Sequence, residues 1–125
     1  MRLTPICGDE QGTTAVEFGI TAPVFFLILF AIIEGGLLLW TQLGLQHGTE
    51  MAARCAGINK TLCNNNSAIA DIAAQQAFGL NLPASTFTVS KAACGITVTA
   101  NYEFNFITSY FGPKIDLTAQ SCFPS

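Results

Sequence analysis

The chain has 125 residues, five Lys and Arg against eight Asp and Glu, a net charge of -3, and only 10% charged residues, where an ordinary soluble domain carries about 25%. That length holds one small domain and not two independent cores. So thin a basic content leaves no electrostatic footprint for a phosphate backbone, which excludes nucleic acid from the expected partners. With 50% hydrophobic residues and a mean hydropathy of +0.46, the first feature to locate is a membrane segment.

Residues 1–12 (MRLTPICGDEQG) are polar, contain Pro5, Gly8 and Gly12 and show no helical period, so they read as a leader or a tail. Apolar residues then concentrate in residues 18–40, where Glu34 is the one ionisable side chain. As a helix, these roughly 23 residues extend about 35 Å, slightly more than the ~30 Å hydrocarbon core of a bilayer. The competing explanation is a secretory signal, but its apolar region is typically about 7–15 residues and ends in small residues. This run is longer, and Trp40 closes it as an interfacial anchor would. Charge codes orientation weakly: Arg2 is offset by Asp9 and Glu10 on one side, and Arg54 and Lys60 lie on the other.

Five cysteines add a second constraint. Cys7 precedes the apolar run, whereas Cys55, Cys63, Cys94 and Cys122 follow it. An even set in a short domain suits two disulfides in an oxidising compartment, with Cys7 on the reducing side, and so places the C-terminal part outside the cytoplasm. Free buried thiols or a zinc site are the alternatives, but there is no CxxC pair and the single His47 has no second ligand nearby in sequence. Of three possible pairings, the reading favours Cys55 with Cys63, closing an Asn-rich loop, and Cys94 with Cys122, joining two strands.

Past Trp40 the spacing of Leu43, His47, Met51, Arg54 or Cys55, and Ile58 predicts an amphipathic continuation of the helix. Its polar face would be Gln42, Gln46, Thr49 and Glu50. One helix over residues 13–59 follows, transmembrane over about residues 18–40. Residues 61–66 (TLCNNN) form a loop, and residues 67–78 a short helix with Ile69, Ile72, Ala73 and Gln76 in register and Gly79 as its stop. From Thr86 the period changes to two. Phe87 and Val89, then Ile96 through Phe106, then Ile115, Leu117 and Ala119 alternate as strands, punctuated by Gly95 and Gly112-Pro113. The expected fold is therefore α+β, a long helix packed on a small three-stranded antiparallel meander that begins at about Thr86, within an extracytoplasmic domain over residues 60–125. A hairpin around Thr108 would set Cys94 roughly opposite Cys122.

A carboxylate at the lip of an apolar helix calls for a reason. One reason is a capping box, with Thr14 as the cap and Glu17 returning three residues later. Pro23 removes the hydrogen bond to the Gly19 carbonyl, which either bends the helix or is simply tolerated in a membrane. Ala31 and Gly35 form a small-xxx-small pair that would let a second helix approach, with Glu34 beside it either binding a polar partner or reaching the outer interface. The sequons at Asn59 and Asn65 matter only in a eukaryotic secretory route. No GxSxG, phosphate loop or paired carboxylates are present, so neither an enzyme nor a cofactor site is expected.

A Gly before a cut, a Glu as the fifth residue after it, an aromatic and about twenty apolar residues resemble the signal of type IV prepilin-like proteins. More closely, GTTAVEFGITAPVFFLILFAIIEGG, with the looser MAAR at residues 51–54, resembles the TadE-like family of minor pilins or pseudopilins in the tight-adherence (Tad/Flp) system. The resemblance implies a type IV pilin-like fold and cleavage between Gly12 and Thr13 by a separate, cytoplasm-facing prepilin peptidase, which discards Cys7. It also implies that Glu17, beside Phe18, pairs with the new amine of Thr13 in this or a neighbouring subunit and fixes register. Partners implied are that peptidase, other pilin or pseudopilin subunits, an inner-membrane assembly platform and membrane lipid. The function implied is assembly and surface adhesion from a single-pass inner-membrane position. The alternative is a membrane-anchored or secreted binding module with no filament role.

Overall fold

The computed structural model describes residues 10–125. Met1, Cys7 and most of the expected leader lie outside the described residues. The elements in chain order are α1 (Glu10–Ile58), α2 (Asn66–Gln75), β1 (Phe87–Ala92), β2 (Gly95–Asn105) and β3 (Lys114–Phe123). They fall into two compact units, residues up to Glu34 and Gly35–Ser125.

In the first unit α1 is mostly Leu, Ile, Phe and Ala, strong or adequate helix formers. The helix continues through Pro23, and the Thr21 hydroxyl donates to the Glu17 carbonyl one turn back at 2.8 Å. Because α1 begins at Glu10, Thr14 sits inside the helix and not at its N-cap as the capping box required.

The second unit is a helix pair over a sheet. β1, β2 and β3 form an antiparallel meander in chain order, and the residues of one face, Phe87, Val98, Ala100, Leu117 and Ala119, are buried. They share one core with Leu45, Ala52, Ala53 and Ala56 of α1 and Ile69 and Ala73 of α2. A three-stranded sheet needs cover of this kind to be stable.

The buried face of α1 differs from the large-residue stripe that hydropathy suggests. Leu43 and Ile58 are 59% and 73% exposed and Arg54 is exposed, while Thr49, assigned to the polar face, is fully buried. Beside Leu45, Thr49 and Ala53, the inward face carries Gly44, Gly48, Ala52 and Ala56, four residues apart. The cause is close approach. A Cβ on Gly48 would lie 2.6 Å from the Ala73 carbonyl oxygen, and one on Gly44 would lie 2.7 Å from the Leu80 side chain and 3.1 Å from the Ala77 carbonyl. Only a stripe without side chains admits α2 at that distance, as in small-residue helix pairs.

The short helix starts one residue earlier than expected and ends at Gln75. Asn65 supplies the N-cap, its Oδ1 accepting from the Ala68 N–H at 2.8 Å. Asn59 does similar work in the preceding turn, accepting from the Thr61 and Leu62 amides, so both sequon asparagines are turn and cap residues.

Of the three possible cysteine pairings, the structure carries Cys55–Cys63 and Cys94–Cys122, with Cα separations of 5.9 and 6.4 Å. Cys122 stands opposite Thr97, however, and Cys94 lies in the two-residue turn between β1 and β2. The bridge therefore ties a hairpin turn to β3 and does not join facing strand residues. Gly95 makes this possible: its φ is +131°, and a Cβ there would collide with the Phe123 carbonyl oxygen. β2 ends at Asn105, so Phe106 belongs to the β2–β3 connection, which contains a single 3₁₀ turn at Ser109–Phe111.

Candidate functional site

The functional residues singled out in the sequence lie along α1. Beginning with Gly12, α1 is long and apolar enough to cross a membrane, with a mean hydropathy of 2.4 in its most apolar window. Only 6% of that window is buried, whereas the core helix of a soluble protein is mostly buried. Val16, Phe18, Ile20, Phe25 and Phe26 are all exposed. Each exposed side chain of this size would gain about 1.5–3 kcal/mol on leaving water, so the surface is made for lipid or for other apolar helices.

Glu17 and Phe18 are both exposed on this helix, and Phe18, Thr21, Ala22, Phe25 and Phe26 line an open apolar groove of about 310 Å³. Gly12 and Gly35 have no atom within 4 Å of a Cβ built on them. Ala31 is half-buried, and Glu34 is only 2% exposed and is engaged within the chain. An acidic group at this depth is costly unless satisfied, which marks it as placed.

At the far end of α1, the Asn59 amide bonds the Cys55 carbonyl and the Cys55–Cys63 bridge fixes the helix end to the loop. Beside the middle of α1, the His47 ring stacks on Phe78, with centroids 4.6 Å apart, and its Nδ1 is 2.8 Å from the Gln76 carbonyl oxygen. His47 is thus a packing residue. Among the described residues no cluster of His, Cys, Asp and Glu is arranged to hold a metal. On the sheet edge Lys114 and Glu103 form an ion pair across β2 and β3, and the Glu103 carboxylate holds the Lys114 ammonium above its usual range.

Sequence reasoning did not single out two features of this region: the Gly44, Gly48 and Gly57 approaches on α1, and the exposed apolar tip of the β2–β3 connection. The first leaves only a four-residue spacing of small residues. The second is visible as FITSYFGP, an eight-residue stretch with no Asp, Glu, Lys or Arg.

These features define a class, a small disulfide-bonded α+β domain carried on one apolar helix able to cross a membrane. Residues 12–54, most of α1, match the family model described as TadE-like protein, so this segment is similar to that family. No curated protein and no solved structure matches it.

Proposed function

We propose that the chain is a minor pilin or pseudopilin of a Tad/Flp pilus, a structural and not a catalytic protein. The observation that carries this reading is the TadE-like match across α1, which begins at Gly12, the residue before the inferred cut. In this reading a prepilin peptidase cuts between Gly12 and Thr13. The helix holds the mature chain in the bacterial inner membrane with the disulfide domain outside the cytoplasm, and the same helix later packs among other subunits at the assembly platform.

The bond to be cut lies inside α1, so a peptidase that takes extended segments must unwind the first turns. Gly12 lowers that cost, because glycine is about 1 kcal/mol less helical than alanine and has no side chain to obstruct the scissile segment. Mass spectrometry of the membrane-purified protein is expected to find Thr13 at the N-terminus, and Met1 there in a strain lacking the peptidase. Met1 in both strains, or a start beyond residue 40, defeats the reading.

Glu17 lies one helical turn from the new amine. Removing one partner of a buried ion pair costs about 3–5 kcal/mol, equivalent to roughly a hundredfold or more in an equilibrium. Glu17→Ala is therefore expected to be cleaved normally but lost from purified filaments, measured by immunoblot of the sheared fraction against the membrane fraction. Equal incorporation would remove Glu17 from the assembly mechanism.

A further inference from the structure

The connection over residues 106–113 exposes a set of apolar side chains that the sheet does not use. Ile107 is 77% exposed, Tyr110 74% and Phe111 58%, and Ile115 beside them is also exposed. Phe111 is tilted against Phe106 at 6.0 Å between centroids, and Phe106 meets Phe104 edge to face at 5.4 Å, so the tip continues into aromatic contacts at the end of β2. The Lys114–Glu103 pair sits at the neck, where β2 and β3 meet.

The direction of this tip can be read within Gly35–Ser125 alone. Gln42 Nε2 donates to the Thr118 carbonyl at 2.9 Å, and the Phe123 ring occupies the space a side chain on Gly57 would need. β3 therefore runs alongside α1 in the same sense. Going back from Thr118 to Lys114 covers about 13 Å of strand, and going back from Gln42 to Gly35 covers about 10 Å of helix. The loop thus leaves the sheet toward the Gly35 end of the domain, the end from which α1 continues into its apolar run. Trp40 is the interfacial end of the run and pairs with another exposed aromatic of the domain, Phe78, at 5.6 Å.

We infer that the β2–β3 tip is a second membrane contact, with Ile107, Tyr110 and Phe111 inserted into the headgroup and upper acyl region of the leaflet next to the domain. The inference rests on the membrane-anchored reading of α1. Its chemistry suits that depth: aromatic and aliphatic side chains and a phenol able to bond headgroups. Amphipathic elements at this interface bury their apolar face by about 5–10 Å, while the irregular backbone of the loop stays where water and headgroups can satisfy it. In the membrane-anchored reading of α1, the lipid around the end of the helical run is continuous with the surface these residues meet.

Two single-tryptophan reporters test this in the full chain, reconstituted in phosphatidylcholine and phosphatidylglycerol vesicles. Both carry Trp40→Phe; one adds Tyr110→Trp at the tip and the other Phe26→Trp in the helix. The tip reporter is expected to emit to the blue and to lose roughly half its intensity to lipids brominated near the headgroup, as a side chain at interfacial depth does. It should be quenched less by lipids brominated deep in the chain, and Ile107→Trp should repeat the result. The helix reporter should respond most to deep bromines. A tip quenched by aqueous iodide and not by lipid, beside a helix quenched by deep bromines, overturns the tip contact alone. A blue-shifted tip that ignores brominated lipid and changes with the protein-to-lipid ratio is covered by another copy, which also overturns it. A helix reporter that no brominated lipid quenches removes the anchor and the tip contact together.

Discussion

Replacing Gly48 with valine is expected to lower the melting temperature of the domain by about 10–20 °C, while Gly35→Ala leaves it unchanged or raises it. At Gly48 even a first carbon would stand 2.6 Å from the Ala73 carbonyl oxygen, and that oxygen belongs to the backbone of a buried turn of α2 that cannot swing aside. Overpacking a tight core costs about 1–3 kcal/mol and occasionally more. For a domain this small each kcal/mol shifts the midpoint by about 4–8 °C. At Gly35 no atom lies within 4 Å, so alanine meets nothing and gains about 1 kcal/mol of helix propensity. Thermal unfolding in detergent, followed by near-ultraviolet circular dichroism, measures both. Equal midpoints for Gly48→Val and the parent chain would show that α1 and α2 are not held this closely.

The same contact explains what could be read from the sequence and what could not. The meander was legible because one face of the sheet is covered. β2 alternates from Ile96 through Val98, Ala100 and Tyr102 to Phe104, all on the buried side, and burial on one face imposes period two. The long helix was legible because length and hydropathy alone decide it. The packed face of its outer half was not, because hydropathy weights a position by the apolar area it can bury. Glycine and alanine contribute little area, yet they let whole backbones approach, and the contact of α2 with α1 depends on that approach. Leu43 and Ile58, which carried the hydropathy signal, are left exposed.

In the candidate site, Glu17 and Phe18 follow directly from the sequence as exposed residues of an apolar helix. The burial of Glu34 does not, since a one-dimensional pattern registers a charge but not its burial. The tip of the β2–β3 connection failed for a related reason. Phe106 continues the strand alternation, so the pattern overran the end of β2 at Asn105, and the exposed Ile107, Tyr110 and Phe111 beyond it carry no period that marks them.

Reduction of the two disulfides is expected to unfold the domain on α1, and Cys94–Cys122 should account for the larger share. In the chain-entropy account, the stabilisation from a cross-link grows with the loop it closes. The sequence separations are 28 for Cys94–Cys122 and 8 for Cys55–Cys63, which correspond to about 3.5 and about 2.5 kcal/mol. The two loops do not overlap in sequence, so the effects should nearly add, to about 6 kcal/mol. A small domain has total stability of about 5–15 kcal/mol, and one this size belongs near the bottom of that range. The longer bridge also has a positional role. It holds the β1–β2 turn against the end of β3 beside Gly95, where the backbone is already left-handed and in close contact with Phe123. Denaturant titration in detergent should therefore rank the parent chain first, the Cys55→Ser/Cys63→Ser variant second and the Cys94→Ser/Cys122→Ser variant last, with the fully reduced chain unfolded before denaturant is added. If the two double variants exchange places, loop length does not govern the stability of this domain, and the clasp at the end of α1 becomes its main fastening.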